Sequence, residues 1–228
     1  QSLEFSLQEP AYLDGLHALE QLSYIVVEAG TWNVGGMTFS AGNIRSSRLS
    51  TQGFDAVVLP GLGAGTSVMT QVQTFNGADW VTTRTDAITG SGFRVTMQEE
   101  EAKNGSAHVL ETIGYLAFSG SATSMGDTLI QGGNTSTGVS HLNTQVGFAQ
   151  NFSTVPTLFT KLGSFNGADT ANSRITSVSS TGFSALVQEE QSLDAEVLHV
   201  PESLSFLAFG GSSGLLVGTQ VLAADPLA

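Results

Sequence analysis

The chain has 228 residues, 40% hydrophobic and 12% charged, with 27 glycines and no cysteine. That balance excludes a disordered chain, and the missing thiol excludes disulfides, thiolate catalysis and cysteine-ligated zinc. A formal net charge of −13 argues against nucleic acid and anionic membranes, both of which need a basic surface.

Abundant glycine, serine and threonine, with no long Ala/Glu/Lys/Leu stretch, point to an all-β chain rich in turns. No apolar run approaches the roughly 18 residues of a membrane helix, so no membrane insertion is expected. The N-terminus lacks the shape of a signal peptide.

In chain order, "LEFSLQEP" (Leu3–Pro10) alternates Leu3, Phe5 and Leu7 with polar neighbours, the period-2 pattern of a half-buried strand. "GLGAGTS" (Gly61–Ser67) is glycine-rich but lacks the lysine of a phosphate-binding loop, and reads as a flexible loop at the lip of a site. "FNGAD" (Phe75–Asp79) carries the Asn-Gly turn signal. "GFRVTMQ" then sets Phe93, Val95 and Met97 on one face and Arg94, Thr96 and Gln98 on the other. "TGSG" before it, and "SSTG" before "GFSALVQ", read as hairpin turns with glycine at positive φ. "ETIGYLAF" and "ESLSFLAF" read as more fully buried strands.

The chain repeats itself. Phe75–Glu100 matches Phe165–Glu190 at an offset of 90, and His108–Phe118 matches His199–Phe209 at an offset of 91. Leu3–Pro10 aligns with Phe93–Glu100, and Leu16–Val27 with Ala107–Phe118. Gln8, Gln98 and Gln188 recur, as do Glu9, Glu99 and Glu189, and likewise His17, His108 and His199. The expected organisation is a C-terminal half-repeat at 1–30, full sandwich repeats at 31–120 and 121–211, and a possible opening strand or tail at 212–228. About six antiparallel strands are expected per repeat. A start inside a repeat suggests a piece of a longer array, or terminal halves that pair with a neighbouring chain.

"GFAQNFSTVPTLFTKL" (Gly147–Leu162), "RITSVSSTGFSALVQ" (Arg174–Gln188) and "ESLSFLAF" together resemble the H-type lectin pattern, and Arg84–Gln98 with "ETIGYLAF" repeat it. The resemblance implies tandem six-stranded antiparallel sandwiches related to trimeric binders of galactose-type sugars. It places that family's aromatic-His pair at Glu100–Glu101, its contact Arg near Trp80 and Thr170, and its acid near Thr137, none of which keeps the family's residue type.

The candidate ligand-binding residues are Asp79, Trp80, Glu100, Glu101, Asp169 and Glu190, with Trp32 a second aromatic candidate. Asp79, Glu100 and Glu101 are the oxygens that calcium would need if their loops meet. Arg84 with Glu99, and Arg174 with Glu189, are expected as structural ion pairs across a hairpin. His108 and Glu111, three apart, would point to opposite faces of a strand, so zinc is not expected. No cofactor other than calcium is expected, and acids that recur in every copy argue against an enzyme. The expected function is an extracellular or cell-surface carbohydrate-binding or adhesive repeat module with a glycan partner. The rival is a structural repeat of a surface layer, filament or spacer that self-associates through its incomplete terminal repeats.

Overall fold

Alternation of apolar and polar residues builds the strands of this computed structural model, which describes residues 3–105, 107–136, 138–211 and 217–221. The first half carries β1 (Gly30–Val34), β2 (Met37–Ser46), β3 (Asp55–Val58), β4 (Ser67–Val72), β5 (Val81–Thr89), β6 (Gly92–Glu99) and β7 (Glu111–Ser119). The second carries β8 (Ala122–Met125), β9 (Thr128–Asn134), β10 (Thr144–Gly147), β11 (Thr157–Leu162), β12 (Ala171–Val178), β13 (Gly182–Glu189) and β14 (Leu204–Phe209), before a short β15 (Thr219–Gln220). The fold is all-β, with antiparallel ladders throughout these strands.

The same strand order occurs twice. A sheet ordered β1-β2-β7-β4 faces one ordered β3-β6-β5, and β8-β9-β14-β11 faces β10-β13-β12. β15 extends the first sheet by pairing with β1.

Each facing pair of sheets encloses a core. Leu49, Val57, Val68, Phe93, Met97 and Ile113 fill the first. Phe148, Leu162, Phe183, Val187, Leu204 and Ala208 are prominent in the second. A third core lies between the two halves, where Phe39, Leu116 and Phe118 meet Ile130 and Leu207. β7 serves two cores because its faces alternate: Ile113 and Ala117 point into the first, Leu116 and Phe118 into the third. The same parity on β14 sends Leu204 and Ala208 one way and Leu207 the other. That double burial explains the apolar runs of both strands.

Three expectations are corrected. Residues 3–10 form no strand, and Leu3, Phe5 and Leu7 are exposed. Their counterpart β6 is a central strand held between β3 and β5. The described residues before Gly30 include no strand to pair with them, so their alternation has no ladder to join. The hairpin glycines Gly92 and Gly182 do not take positive φ. A Cβ on either would lie 2.5 Å from the carbonyl oxygen of Val57 or Val146, so glycine there admits a neighbouring backbone. Positive φ falls instead on Gly61, Gly63 and Gly65. That loop is tied to the hairpin turn by Leu62 N–H to Gly90 O (2.7 Å) and by burial of Leu62, so it is a packed strap. Of the expected tail strand, Val217–Val221 are described; Thr137 lies outside the described residues.

Leu207 lines the core shared by both halves, so Leu207→Ala is expected to cost about 2–5 kcal/mol. Chemical denaturation should show both halves losing stability together.

Candidate functional site: a buried junction between the halves

The chemistry-bearing residues gather around two glutamates. Glu202 accepts hydrogen bonds from Ser164 Oγ, from Asn166 N–H (2.9 Å) and from Gly167 N–H (3.1 Å). His199 Nε2 lies 3.3 Å from Glu202, and Nδ1 lies 2.5 Å from Glu189. Glu111 has the same cradle: Thr74 Oγ1, Asn76 N–H and Gly77 N–H (both 2.8 Å), with His108 bridging to Glu99 at 2.6 Å. The Asn-Gly turn signal therefore has a packing cause. A Cβ on Gly77 would lie 2.6 Å from the His108 ring, and one on Gly167 2.7 Å from His199. The histidine needs glycine beneath it, and the turn's N–H groups hold the carboxylate.

One difference separates the cradles. Glu202 also receives Arg84 from the first half, Nη2 to Oε1 at 2.6 Å, with both side chains fully buried. Arg84 donates further to Gln98 Oε1 (3.1 Å), Asp169 O and Ser164 O (each 3.3 Å), and its guanidinium lies 4.8 Å from the Phe165 ring centroid. Gln98 Nε2 donates to Ala168 O at 2.8 Å. Thr85 Oγ1 donates to Leu162 O, and Thr82 Oγ1 to Asn172, its own counterpart.

The expected pairs Arg84–Glu99 and Arg174–Glu189 are thus corrected. In the hairpin Arg84 stands opposite Thr96, and Val81 opposite Glu99. Arg84 therefore shares the face of Thr96 and Gln98, while Glu99 shares the opposite face with Met97. Glu99 and Glu189 pair with histidines instead. Arg174 donates to Gln188 Oε1 at 3.0 Å. The alternation of "GFRVTMQE" already contained this parity, but the hairpin register was needed to use it.

The candidate ligand acids lie at the edge of this junction. Glu100 and Glu190 are buried, and Glu101 and Asp169 sit beside them. Glu100 accepts from Ala11 N–H, Glu190 from Glu101 N–H (2.7 Å), and Glu101 from Thr170 N–H (3.1 Å). Asp79 pairs with Lys103 Nζ at 3.1 Å, and the same ammonium lies 3.6 Å from Glu100. Trp80 and Trp32 are half-buried, and Phe75 is 70% exposed. Among the described residues no group of three or more His, Asp or Glu side chains could hold a metal ion, so Asp79, Glu100 and Glu101 do not form the expected calcium triad. A cleft of about 560 Å³ lies elsewhere in the second half and is lined by hydroxyls, amides and Phe206, with no titratable side chain among its described residues.

Residues 3–11 partly reproduce the junction on the first half. Gln8 Nε2 donates to Ala78 O at 3.0 Å, as Gln98 does to Ala168 O. Ala11 N–H bonds Glu100, as Glu101 N–H bonds Glu190. Each pair of contacts is displaced by 90 residues along the chain.

Charge at the junction is shifted by burial and by partners. Burial alone would raise Glu202, but hydrogen bonds from His199 and Ser164, the Arg84 charge and the Gly167 N–H together hold it at about 2. Burial opposes protonation of His199, yet its bonds to Glu202 and Glu189 raise it. Burial and the negative charge of Asp169 push Glu101 up to about 7. Burial, with Arg84 nearby, brings Lys161 down to about 7. Among the described residues no helix is long and apolar enough to cross a membrane.

Arg84→Ala leaves Glu202 buried without its cation and is expected to cost about 3–5 kcal/mol. Arg174→Ala, at an exposed position, should change stability by no more than about 0.5 kcal/mol; paired denaturation curves test both. The pH profile of stability follows from the same groups. Glu202 is depressed, so its contribution is complete above an unfolded value of 4.5 and is lost as pH falls towards about 2. Glu101 is raised, so its contribution declines as pH rises from 4.5 through about 7. Glu101→Gln should flatten that decline in thermal melts while leaving the acid limb intact; Lys161 begins to contribute in the opposite sense only above about 7.

No known protein family matches the chain, and no solved structure matches it. Among curated proteins it is similar to Halomucin of Haloquadratum walsbyi, 33% identical over 109 residues, which is 46% of this chain and 1% of that protein. The chain thus spans a very small part of that relative.

Proposed function

We propose that the chain is a non-enzymatic structural module of an extracellular or cell-surface array, in which successive repeats dock through a buried polar junction. The observation that carries this reading is the Arg84–Glu202 pair, buried on both sides, with Gln98 seated on the next turn's Ala168 carbonyl. Gln8 on Ala78 supports it, because the same contact is made by a preceding half-repeat. Glu101 and Glu190 accept N–H groups across the same contact, which favours an architectural use over catalysis or calcium. Similarity to Halomucin supports the surface setting.

The test is cooperativity. The native chain is expected to unfold in one transition, and Arg84→Ala combined with Gln98→Ala is expected to split it into two, read by calorimetry. A double variant that still unfolds in one unshifted transition would overturn the reading.

Carbohydrate binding, in line with the H-type lectin resemblance, is a second reading favoured by one observation. Exposed Phe75 and Asp79 share the first turn with half-buried Trp80, whereas its counterpart Thr170 is buried in the junction. Polysaccharide retention that disappears in Trp80→Ala is the expected result for this reading, and retention unchanged by the substitution would remove it.

A further inference from the structure

Among the described residues, the second half repeats one side of the internal junction without the turn that the first half receives. Arg84 and Gln98 are joined by a side-chain hydrogen bond, and together they receive the Phe165–Asp169 turn and Glu202. Arg174 and Gln188 stand at the equivalent positions of the second half and are joined by the same bond, at 3.0 Å. Both side chains are exposed. The pair is therefore preformed in the orientation that binds a turn, with the guanidinium still in water.

The complementary half lies on the first repeat. Glu111 is cradled as Glu202 is and is likewise buried, so an incoming arginine must open its cover, yet among the described residues its only basic neighbour is His108, with Nε2 at 3.5 Å. That Nε2 is buried and has no hydrogen-bond partner among the described residues. Arginine is thus missing from a site whose copy contains one. The Ala78 carbonyl of the same turn already accepts a glutamine amide, from Gln8. It has the chemistry to accept that of Gln188.

We infer that the Arg174–Gln188 face of one molecule receives the Phe75–Asp79 turn and Glu111 of a second copy of this chain, reproducing between molecules the contact made by Arg84 and Gln98 within one. The inference rests on the proposed reading of the chain as an array module. The charges are complementary, Arg174 to Glu111, and the interface is heterologous, so each copy keeps one face of each kind and association continues beyond a dimer or closes into a ring. Gln8 holds the Ala78 carbonyl until Gln188 replaces it, so the N-terminal segment competes with the incoming copy.

Sedimentation velocity on the full chain, from about 1 µM to about 1 mM, tests this. Concentration-dependent association is expected, stronger in Gln8→Ala. Arg174→Ala and Gln188→Ala are expected to weaken it, the first by at least about 30-fold in Kd, with melting temperatures unchanged because both positions are exposed. If the native chain and Gln8→Ala both remain monomeric throughout, or if Arg174→Ala leaves association undiminished, the inference is overturned. The cooperativity test on Arg84 and Gln98 reads only the internal junction, so failure there is distinguishable from failure here.

Discussion

A guanidinium with no access to water must be satisfied where it lies. Arg84 meets most of that constraint through its two Nη atoms, with a carboxylate, an amide oxygen, two backbone carbonyls and an aromatic face drawn from both halves of the chain, while its buried Nε has no hydrogen-bond partner among the described residues. Removing a charge from water costs several kcal/mol per ion, so such a pair holds only with close geometry and further hydrogen bonds. The turn that supplies those carbonyls, the histidine that orients Glu202 and the glycine beneath it all follow from that need. The pair is weak evidence for net stability and stronger evidence for register: a displaced second half would leave a buried charge alone.

The apolar and polar parts of the contact divide the work. The third core, around Phe118 and Leu207, supplies burial without much direction. The polar junction supplies direction, because Arg84, Gln98 and Thr85 each require one particular atom of the second half. The Glu–His–Glu chains belong to both tasks. Each joins the end of a strand in a three-stranded sheet to the sheet facing it, Glu99 to Glu111 at the start of β7 and Glu189 to Glu202 just before β14, and so pins the sandwich at the edge where the neighbour docks.

Much of the fold was legible because its signals are local. Period-2 alternation marked β6 and β13, and continuous apolar runs marked β7 and β14. The junction was harder to read, because its partners lie 118 residues apart in sequence for Arg84 and Glu202. No local pattern states such a distance. The recurring Gln-Glu dipeptide was the available clue: glutamine faces outward to the neighbour and glutamate inward to the histidine, and adjacent strand residues must part in this way. The N-terminal strand was overestimated because alternation describes which faces a strand could offer, whereas a strand also needs partners. The extra acids near Glu100 looked like a ligand cluster because sequence shows their number and not the N–H groups that occupy them.

The contact between Thr82 and Asn172 has a geometrical consequence. These are equivalent positions in the two halves, and the third core likewise joins Phe39 and Leu116 to their own counterparts, Ile130 and Leu207. Stacking by pure translation keeps equivalent positions a whole module apart. Equivalent residues can touch only close to an axis of rotation that carries one half onto the other. Modules added by the same operation must wind about that axis, so a run of them curls into a ring or a tight coil and does not extend as a straight rod.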